Sequence, residues 1–598
     1  MSLYNKHASP FYKVFSGALF VLLFLYLLLR AYFVEPLHDE VATFYHYIES
    51  GVYWGDKMQV DANNHLLNSW LCRGIYRIFG EGFFMLRLPN VLAFILFYWG
   101  IVKLIKPLRS NFSRMMILLA LTCIPFMLEY FAYARGYGLS LGFFVCSLVY
   151  LRKFTVLKKG KYVLLTYLFL ALTVYSNLTF LVSSILAVLL IVLFQLIYRQ
   201  KFSLTEQLLM LGSHAIFLVA LMPAVSFAQR LREAGALYYG SLDGFWNVTG
   251  KTLSRYILFY EAYWLKWLFA LAAAGCIIFL VSKWRSKGTV KFFREPETMF
   301  AWFLFGNCAA ILFMAKVMHV NYPEDRVGMY LVVLFILLAG FILGRHKKGS
   351  QALVLLLFFP LVFIPKINLS TSVFSPDDRM SQEFFNAVVA KADRHTTISV
   401  DPLMRLTWSY MDRKQPYEHF VSDSRKFNRS ADIVLTKTVF YSKQSFLSEY
   451  EVIAHDPQST FIAYRKRIPF SKRTIYKTAF DIPHTTDEFI NVDRFVVPDS
   501  LRNKKLEFSI RADVHAENKT REFNIMTFST FDNKDQPVRY QYWNERWSQG
   551  LKKNYALNFN YAAGILGENE HEIRIYMWNL DRERVRLKNG IFEIIILE

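Results

Sequence analysis

The chain has 598 residues, of which 54% are hydrophobic and only 19% are charged. This composition is too apolar for a set of soluble domains, so part of the chain is expected to lie in a membrane. The formal net charge of +22 does not indicate a nucleic-acid partner, because many of the lysines and arginines lie in short loops between apolar runs, where they orient a membrane protein.

Apolar runs that are long enough to cross a bilayer, which takes about 20 residues, dominate the first part of the chain. The first run is longer than the core of a signal peptide and has no obvious small-residue cleavage motif, so it is expected to remain as an anchor. The third to fifth runs are short, and one of them could be re-entrant. The eleven predicted spans are 12–33, 84–102, 115–131, 136–151, 162–176, 178–198, 207–225, 263–282, 298–316, 327–344 and 351–366.

Lysines and arginines collect in alternate loops between these runs. The basic loops are 103–114, 152–161, 199–201, 283–294 and 345–348. By the positive-inside rule they face the cytoplasm together with the N-terminus, so the first outer loop, 35–82, and everything after residue 366 are predicted to be extracytoplasmic. The expected location is therefore a cell inner membrane that the chain crosses many times.

The first outer loop carries two adjacent carboxylates, Asp39 and Glu40. Residues of this kind can be ordinary solvated helix-capping residues. The remainder of the loop is half polar and half apolar, which suits the membrane interface. The motifs that follow the carboxylates are the stretch 61–78 with Asn64 and His65, then Phe79-Gly80, then Arg87-Leu88-Pro89 at the start of the second span.

A second motif, Ala134-Arg135-Gly136-Tyr137, follows Glu129 at the outer end of the third span. An arginine at the centre of a bilayer would cost roughly 2.5 to 3.5 kcal/mol. Arg135 must therefore face water, a carboxylate such as Glu129, or a phosphate.

Arg326 lies at another outer boundary, directly after Glu324 and Asp325. It can form an ordinary ion pair with either carboxylate. Its position at the entrance of a span also suits contact with a lipid phosphate.

The composition changes after residue 366, where polar and apolar stretches alternate. Residues 367–468 mix a helical stretch with short strands, which predicts a small α/β module. In residues 469–598, polar and apolar residues alternate with period two between turns rich in Asn, Asp and Gly, which predicts a β-sandwich. Residues 1–366 form the predicted membrane domain. The five cysteines have no paired or metal-ligand spacing, so no disulfide framework is predicted.

Taken in order, the motifs of residues 12–345 resemble the GT-C glycosyltransferases that use a polyprenyl-phosphate sugar, including the protein O-mannosyltransferases and the lipid A aminoarabinose transferases. The resemblance implies a GT-C fold of about eleven transmembrane helices. It also implies a membrane-bound enzyme that transfers a sugar, with inversion, from the lipid-linked donor to a hydroxyl of a protein, a lipid or a polysaccharide outside the cytoplasm.

This chemistry requires a base for the acceptor proton and cations for the phosphate. We predict Asp39 as the base and Glu40 as a supporting carboxylate. The predicted donor-phosphate residues are Arg135, Arg326 and Tyr137, and the predicted substrate-contacting residues are His65, Asn64, Glu129 and Arg87.

Two departures from the family pattern affect the substrate. Asn63-Asn64-His65-Leu66 stands where the family has Pro-Pro-Leu, which leaves the donor and acceptor preferences open. The sequence also has no Trp-Trp-Asp motif, which argues against transfer of a preassembled glycan to asparagine.

Three other interpretations remain open at this point. His38, His65 and His319 with nearby carboxylates could bind a divalent metal, but their spacing is not that of a metal site, so no cofactor is implied. The chain could be a transporter or flippase, although such proteins usually hold their ionisable groups near the bilayer midplane rather than at the outer ends of the spans. It could also be a non-catalytic scaffold with a binding tail.

Overall fold

The computed structural model describes residues 9–55, 58–345, 347–372, 374–375, 379–437, 448–518, 524–544, 547, 550 and 552–598. The chain divides into two compact units. The first, which we call the helical unit, consists of Met1–Val34 and Val52–Phe374, and the second, the sheet unit, consists of Glu35–Gly51 and Ser375–Glu598. Residues 35–51, which the sequence analysis places in the membrane domain, therefore cluster with the C-terminal part of the chain.

Long apolar helices build the helical unit. Among the described residues, nine helices are long and apolar enough to cross a membrane, and two shorter apolar helices accompany them. Each predicted span overlaps one of these helices, so the prediction of a polytopic helical membrane protein is confirmed. The α-helices, numbered in chain order, are α1 (Pro10–Phe33), α2 (His38–Thr43), α3 (Leu66–Phe79), α4 (Phe83–Ile105), α5 (Asn111–Thr122), α6 (Pro125–Glu129), α7 (Gly136–Leu157), α8 (Lys161–Ser176), α9 (Leu181–Ile197), α10 (Leu204–Glu233), α11 (Lys251–Leu258), α12 (Leu265–Phe292), α13 (Pro296–Val317), α14 (Met329–Leu343), α15 (Lys347–Ala352), α16 (Phe358–Phe363), α17 (Gln382–Val389) and α18 (Arg405–Asp412).

Glycines bring α7 close to its neighbours in the helical unit. A Cβ atom added at Gly142 would lie 2.7 Å from the carbonyl oxygen of Ala93 in α4, and one added at Gly138 would lie 2.7 Å from the carbonyl oxygen of Tyr130. Both distances are too short for a real contact, so only glycine permits this approach. The first turn of α7 is thereby packed directly against the segment around Tyr130.

The sheet unit contains α2, α17 and α18 and three β-sheets. One is a mixed five-stranded sheet with the order β2-β1-β3-β5-β4, in which β1 runs parallel to β2 and β3, and β5 runs antiparallel to β3 and β4. Its strands are β1 (Ile398–Val400), β2 (Val421–Asp423), β3 (Ile433–Lys437), β4 (Tyr450–His455) and β5 (Phe461–Lys466).

The other two sheets are four-stranded and antiparallel, with the orders β10-β9-β12-β7 and β11-β8-β13-β6. Along β12, Ile573, Ile575 and Met577 are buried while the residues between them are half-buried. Such alternation gives each sheet one face that packs on the other, and the prediction of a strand-rich tail is confirmed. The strands are β6 (Lys472–Thr485), β7 (Phe489–Val496), β8 (Lys505–Ala516), β9 (Asn524–Phe531), β10 (Pro537–Asn544), β11 (Asn554–Ile565), β12 (Glu572–Asn579) and β13 (Val585–Leu597).

The five-stranded sheet and the sandwich share one hydrophobic core. Phe420 of the five-stranded part packs against Phe559 of β11, with ring centres 4.3 Å apart, and against Trp543 of β10, with ring centres 5.2 Å apart. The change of topology near residue 468 therefore does not separate two independent cores.

Candidate active site

The predicted catalytic carboxylates lie in α2 of the sheet unit. Glu40 is completely buried, and its Oε2 atom accepts a hydrogen bond of 3.1 Å from the backbone N–H of Leu37. This is the third-position partner of a capping box, which stabilises the start of a helix. Asp39 is only half-buried in the same first turn. Glu40 thus fixes the helix start, and Asp39 is the more accessible carboxylate of the two.

The predicted donor-phosphate residue Arg135 lies in the helical unit, directly before α7. Its side chain is 3% exposed, and it donates a hydrogen bond to Asn63 Oδ1. Its guanidinium carbon lies 5.8 Å from the centre of the Tyr137 ring, within reach of a cation–π interaction. Arg135 and Tyr137 therefore form one cationic and aromatic group.

His65 and Asn64 adjoin this group. The His65 Nδ1 atom lies 2.8 Å from the carbonyl oxygen of Ser176, to which it must donate because a carbonyl oxygen only accepts. The His65 ring packs edge-on against Tyr137 with centres 4.8 Å apart. Asn64 donates to the carbonyl oxygen of Tyr53 at 3.0 Å, so its amide helps to fix the loop before α3.

Arg326 stands in a second group of the helical unit. Its guanidinium carbon lies 4.8 Å from the centre of the Tyr239 ring, and the Tyr239 hydroxyl donates to Asp325 Oδ2. Burial raises the pKa of Tyr239, although Arg326 opposes this, so the hydroxyl remains protonated. Burial and Asp325 also raise the pKa of Glu324, while Arg255 and Arg326 lower it.

Tyr130 connects the two groups. Its ring centre lies 5.0 Å from that of Tyr137 and 5.4 Å from that of Phe126, which stacks on Tyr256 of α11 with ring centres 4.8 Å apart. Thr252 of the same helix accepts a hydrogen bond of 2.9 Å from the backbone N–H of Asp325, next to Arg326. The structure therefore brings Arg135, Tyr137 and Arg326 into one neighbourhood of the helical unit. The sequence analysis did not single out Tyr130, whose only local signal is its place in an aromatic run before Arg135.

Glu129 and Arg87 bond to other parts of the helical unit. Glu129 forms an ion pair of 2.8 Å with Arg30. Arg87 donates to the carbonyl oxygens of Ala31 and Val34 at 3.1 and 2.6 Å. These bonds tie the end of α1 to its neighbours. Sequence reasoning missed Arg30, although a charged residue late in an apolar span signals a buried partner.

Two of the histidines considered as metal ligands donate hydrogen bonds to backbone carbonyl oxygens. His38 Nδ1 donates to the carbonyl oxygen of Leu403 at 2.9 Å within the sheet unit, whereas His65 donates to Ser176 in the helical unit. In the part of the chain that the structure describes, no group of three or more His, Cys, Asp or Glu residues is arranged to hold a metal ion.

No protein-family model and no curated protein matches the chain. Among solved structures, ArnT from Cupriavidus metallidurans bound to undecaprenyl phosphate aligns with a TM-score of 0.39 and 13% identity, over 76% of this chain and 98% of ArnT. Its apo form aligns with a TM-score of 0.37 and 14% identity, over 75% of this chain and 97% of ArnT. The arabinosyltransferase EmbB from Mycobacterium smegmatis aligns with a TM-score of 0.35 and 10% identity, over 97% of this chain and 64% of EmbB.

Proposed function

We propose that the chain is an inverting glycosyltransferase that moves a sugar from a polyprenyl-phosphate donor to the hydroxyl of an extracytoplasmic acceptor. The observation that carries this proposal is the cationic and aromatic group of Arg135 and Tyr137 in the helical unit, which Tyr130 and α11 connect to the segment of Arg326. In this proposal the enzyme crosses the inner membrane many times, with its N-terminus in the cytoplasm and the first outer loop and residues 367–598 outside.

The two arginines serve the donor phosphate. Guanidinium groups form charge-assisted hydrogen bonds with phosphate oxygens. As the bond between the sugar and the phosphate breaks, negative charge grows on the departing polyprenyl phosphate, and cations held away from water stabilise it. Tyr137 and Tyr130 complete the wall of this site.

Asp39 serves the acceptor. The acceptor oxygen attacks the anomeric carbon, the bond from that carbon to the phosphate oxygen breaks, and the acceptor proton passes to the Asp39 carboxylate. A positioned base contributes about 10²- to 10⁴-fold to such a step. Because the displacement is direct and uses no enzyme nucleophile, the configuration of the anomeric carbon inverts.

Transport of a lipid-linked or anionic substrate is the second candidate function. One observation favours it: Tyr167 of α8, His214 of α10 and Gln195 of α9 form a polar chain among membrane helices, with contacts of 2.6 and 3.1 Å. Ionisable residues inside a membrane often mark a transport path. The same contacts also serve as ordinary hydrogen bonds between helices.

Mass spectrometry of envelope lipids, glycans and glycoproteins from host strains with and without the chain tests the proposal. We expect the strain without the chain to lack a product that is heavier than its precursor by the mass of one sugar. The wild-type chain should restore this product, and so should Asp487→Asn, which changes an exposed residue elsewhere in the sheet unit. Asp39→Asn keeps the size of the side chain but cannot take the proton, so it should not restore the product. Full restoration by Asp39→Asn, together with loss of the chain's effect in His214→Phe, would favour transport.

A further inference from the structure

We infer that residues 375–598 position the catalytic segment 35–51 through two anchors, the Glu49–Arg413 ion pair and the hydrogen bond from Tyr45 to Trp547. The inference rests on the proposed function, because it gives Asp39 the role of base. Arg413 and Tyr45 are positioning residues that act through the backbone of this segment.

The segment cannot hold its conformation alone. Helix α2 has six residues, and the π-helical turn Phe44–Glu49 follows it directly. Isolated helices shorter than about 12 residues are marginal in water, and π-helical turns are rare without tertiary support. The side chains of Val41, Phe44 and Tyr45 are nevertheless fully buried. Tertiary contacts must therefore determine where Asp39 lies.

The first anchor is a buried ion pair at the end of the segment. Arg413 Nη2 lies 2.6 Å from Glu49 Oε1, and the two side chains are 9% and 1% exposed. The guanidinium carbon also lies 5.7 Å from the ring centres of both Phe44 and Tyr45. Removal of either charge would break this ion pair and leave the other charge buried, which is unfavourable.

The second anchor lies closer to Asp39 along the chain. The Tyr45 hydroxyl donates to the backbone carbonyl oxygen of Trp547 at 2.6 Å, and the two rings are 6.0 Å apart. At the beginning of the segment, His38 donates to the carbonyl oxygen of Leu403. Asp39 therefore lies between two points that residues 375–598 hold in place.

Accurate placement of a general base governs turnover, since the base must lie within hydrogen-bond reach of the proton it takes. A displacement of about 1 Å can cost about a hundredfold in rate. Release of either anchor should therefore lower turnover while the helical unit still binds the donor lipid.

The test compares Arg413→Met and Tyr45→Phe with Arg539→Met, a matched control. Arg539 forms a 3.0 Å ion pair with Glu570, whose side chain is 2% exposed, and it lies in β10 of the same unit. Hydrogen exchange of the amides of residues 38–50 is measured in lipid nanodiscs. Turnover is measured as the amount of sugar-modified product in complemented strains. Donor binding is measured as the affinity of the protein for undecaprenyl phosphate.

We expect Arg413→Met to speed exchange of the segment at least tenfold and to lower turnover at least tenfold, with lipid affinity within twofold of wild type. Tyr45→Phe removes only one hydroxyl and should show a smaller change of the same kind. Arg413→Lys keeps the charge and should restore most of the turnover. Arg539→Met should leave exchange of residues 38–50 unchanged.

Unchanged exchange in both anchor variants, or a fall in turnover no larger than that of Arg539→Met, would overturn the inference. The two proposals fail in different ways. Normal turnover in Asp39→Asn would remove the base role and the proposed function with it. An inactive Asp39→Asn beside fully active anchor variants would remove only the positioning role.

Discussion

Arg30 donates through Nη2 to Glu129 Oε1 at 2.8 Å, with side chains that are 1% and 4% exposed. Arg30 also donates to the backbone carbonyl oxygens of Asn368 and Thr371 at 2.9 and 3.1 Å. A single buried guanidinium thus joins the end of the first span to two other segments of the helical unit. The Arg30 guanidinium thus has several polar partners although Arg30 lies in an apolar helix.

Breaking this pair should destabilise the helical unit. Glu129→Gln or Arg30→Met leaves one buried charge without its partner, which costs about 3–5 kcal/mol. The double variant Arg30→Met/Glu129→Met removes both charges and should be less destabilised than either single variant. Thermal unfolding in detergent measures the effect. Arg255→Met breaks the exposed pair with Glu261 and should change little; equal losses in all variants would contradict the expectation.

Loss of either proposed phosphate ligand should weaken donor binding. Each hydrogen bond to a charged group contributes about 1.5–3 kcal/mol, so Arg135→Ala and Arg326→Ala should each reduce the affinity for undecaprenyl phosphate roughly ten- to hundredfold. Native mass spectrometry of the protein with this lipid measures it. Arg114→Ala is the control. Arg114 is as buried as Arg135, and it donates to the carbonyl oxygens of Lys106 and Leu108. Wild-type affinity in either variant would remove that arginine from the donor site.

The proposed orientation can be tested with two exposed serines. Ser471 precedes β6 in the sheet unit, and Ser286 lies in a predicted cytoplasmic loop. In intact cells a membrane-impermeant maleimide should label Ser471→Cys but not Ser286→Cys, and both should react after lysis. The native cysteines are buried or half-buried, which keeps the background low. If only Ser286→Cys were labelled before lysis, the orientation would be opposite to the proposed one.

The sheet unit should lose stability as the pH rises towards neutrality. Glu507 of β8 is almost fully buried beside Lys472, at 2.9 Å, and burial raises its pKa from 4.5 to about 7, although Lys472 opposes this. The folded state therefore holds the proton more tightly than the unfolded chain. This stabilisation is complete below pH 4.5 and is lost as the pH rises to about 7, at about 1.4 kcal/mol per pKa unit.

Thermal unfolding between pH 4.5 and 7.5 checks this expectation. Glu507→Gln has no proton to exchange and should flatten the decline in unfolding temperature. Asp532→Asn should leave the dependence of unfolding temperature on pH as in the wild type. Backbone hydrogen bonds hold the pKa of Asp532 below 3.8, so this residue does not titrate in the pH range of the measurement. An identical slope in wild type and Glu507→Gln would show that another group is responsible.

The spans and strands were predictable because each has a local cause. Apolar runs of sufficient length specify the membrane helices, and alternation with period two specifies strands such as Glu572–Asn579. The assignment of residues 35–51 to the sheet unit could not be predicted in this way. Its determinants are partners such as Arg413 and Trp547, which lie hundreds of residues away and carry no local pattern that points back to Glu49 or Tyr45.

The candidate site was likewise predictable only in part. The sequence indicates that Arg135 and Arg326 are cations that need a polar partner, and the structure connects their surroundings through Tyr130 and α11. The sequence could not identify Arg30 as a partner of Glu129, because the two residues are 99 positions apart. The capping interpretation of the acidic pair applies to Glu40, and a sequence alone does not tell which of two adjacent carboxylates turns inward.

The discontinuous sheet unit has a consequence for synthesis. Residues 35–51 leave the ribosome before their partners in residues 375–598, which begin to emerge only about 320 residues later. At about 5–20 residues per second, the segment waits on the order of tens of seconds, through the insertion of nearly every span, before its fold can close. A chain that lacked residues 375–598 would contain its membrane helices but not the partners that complete the fold of residues 35–51.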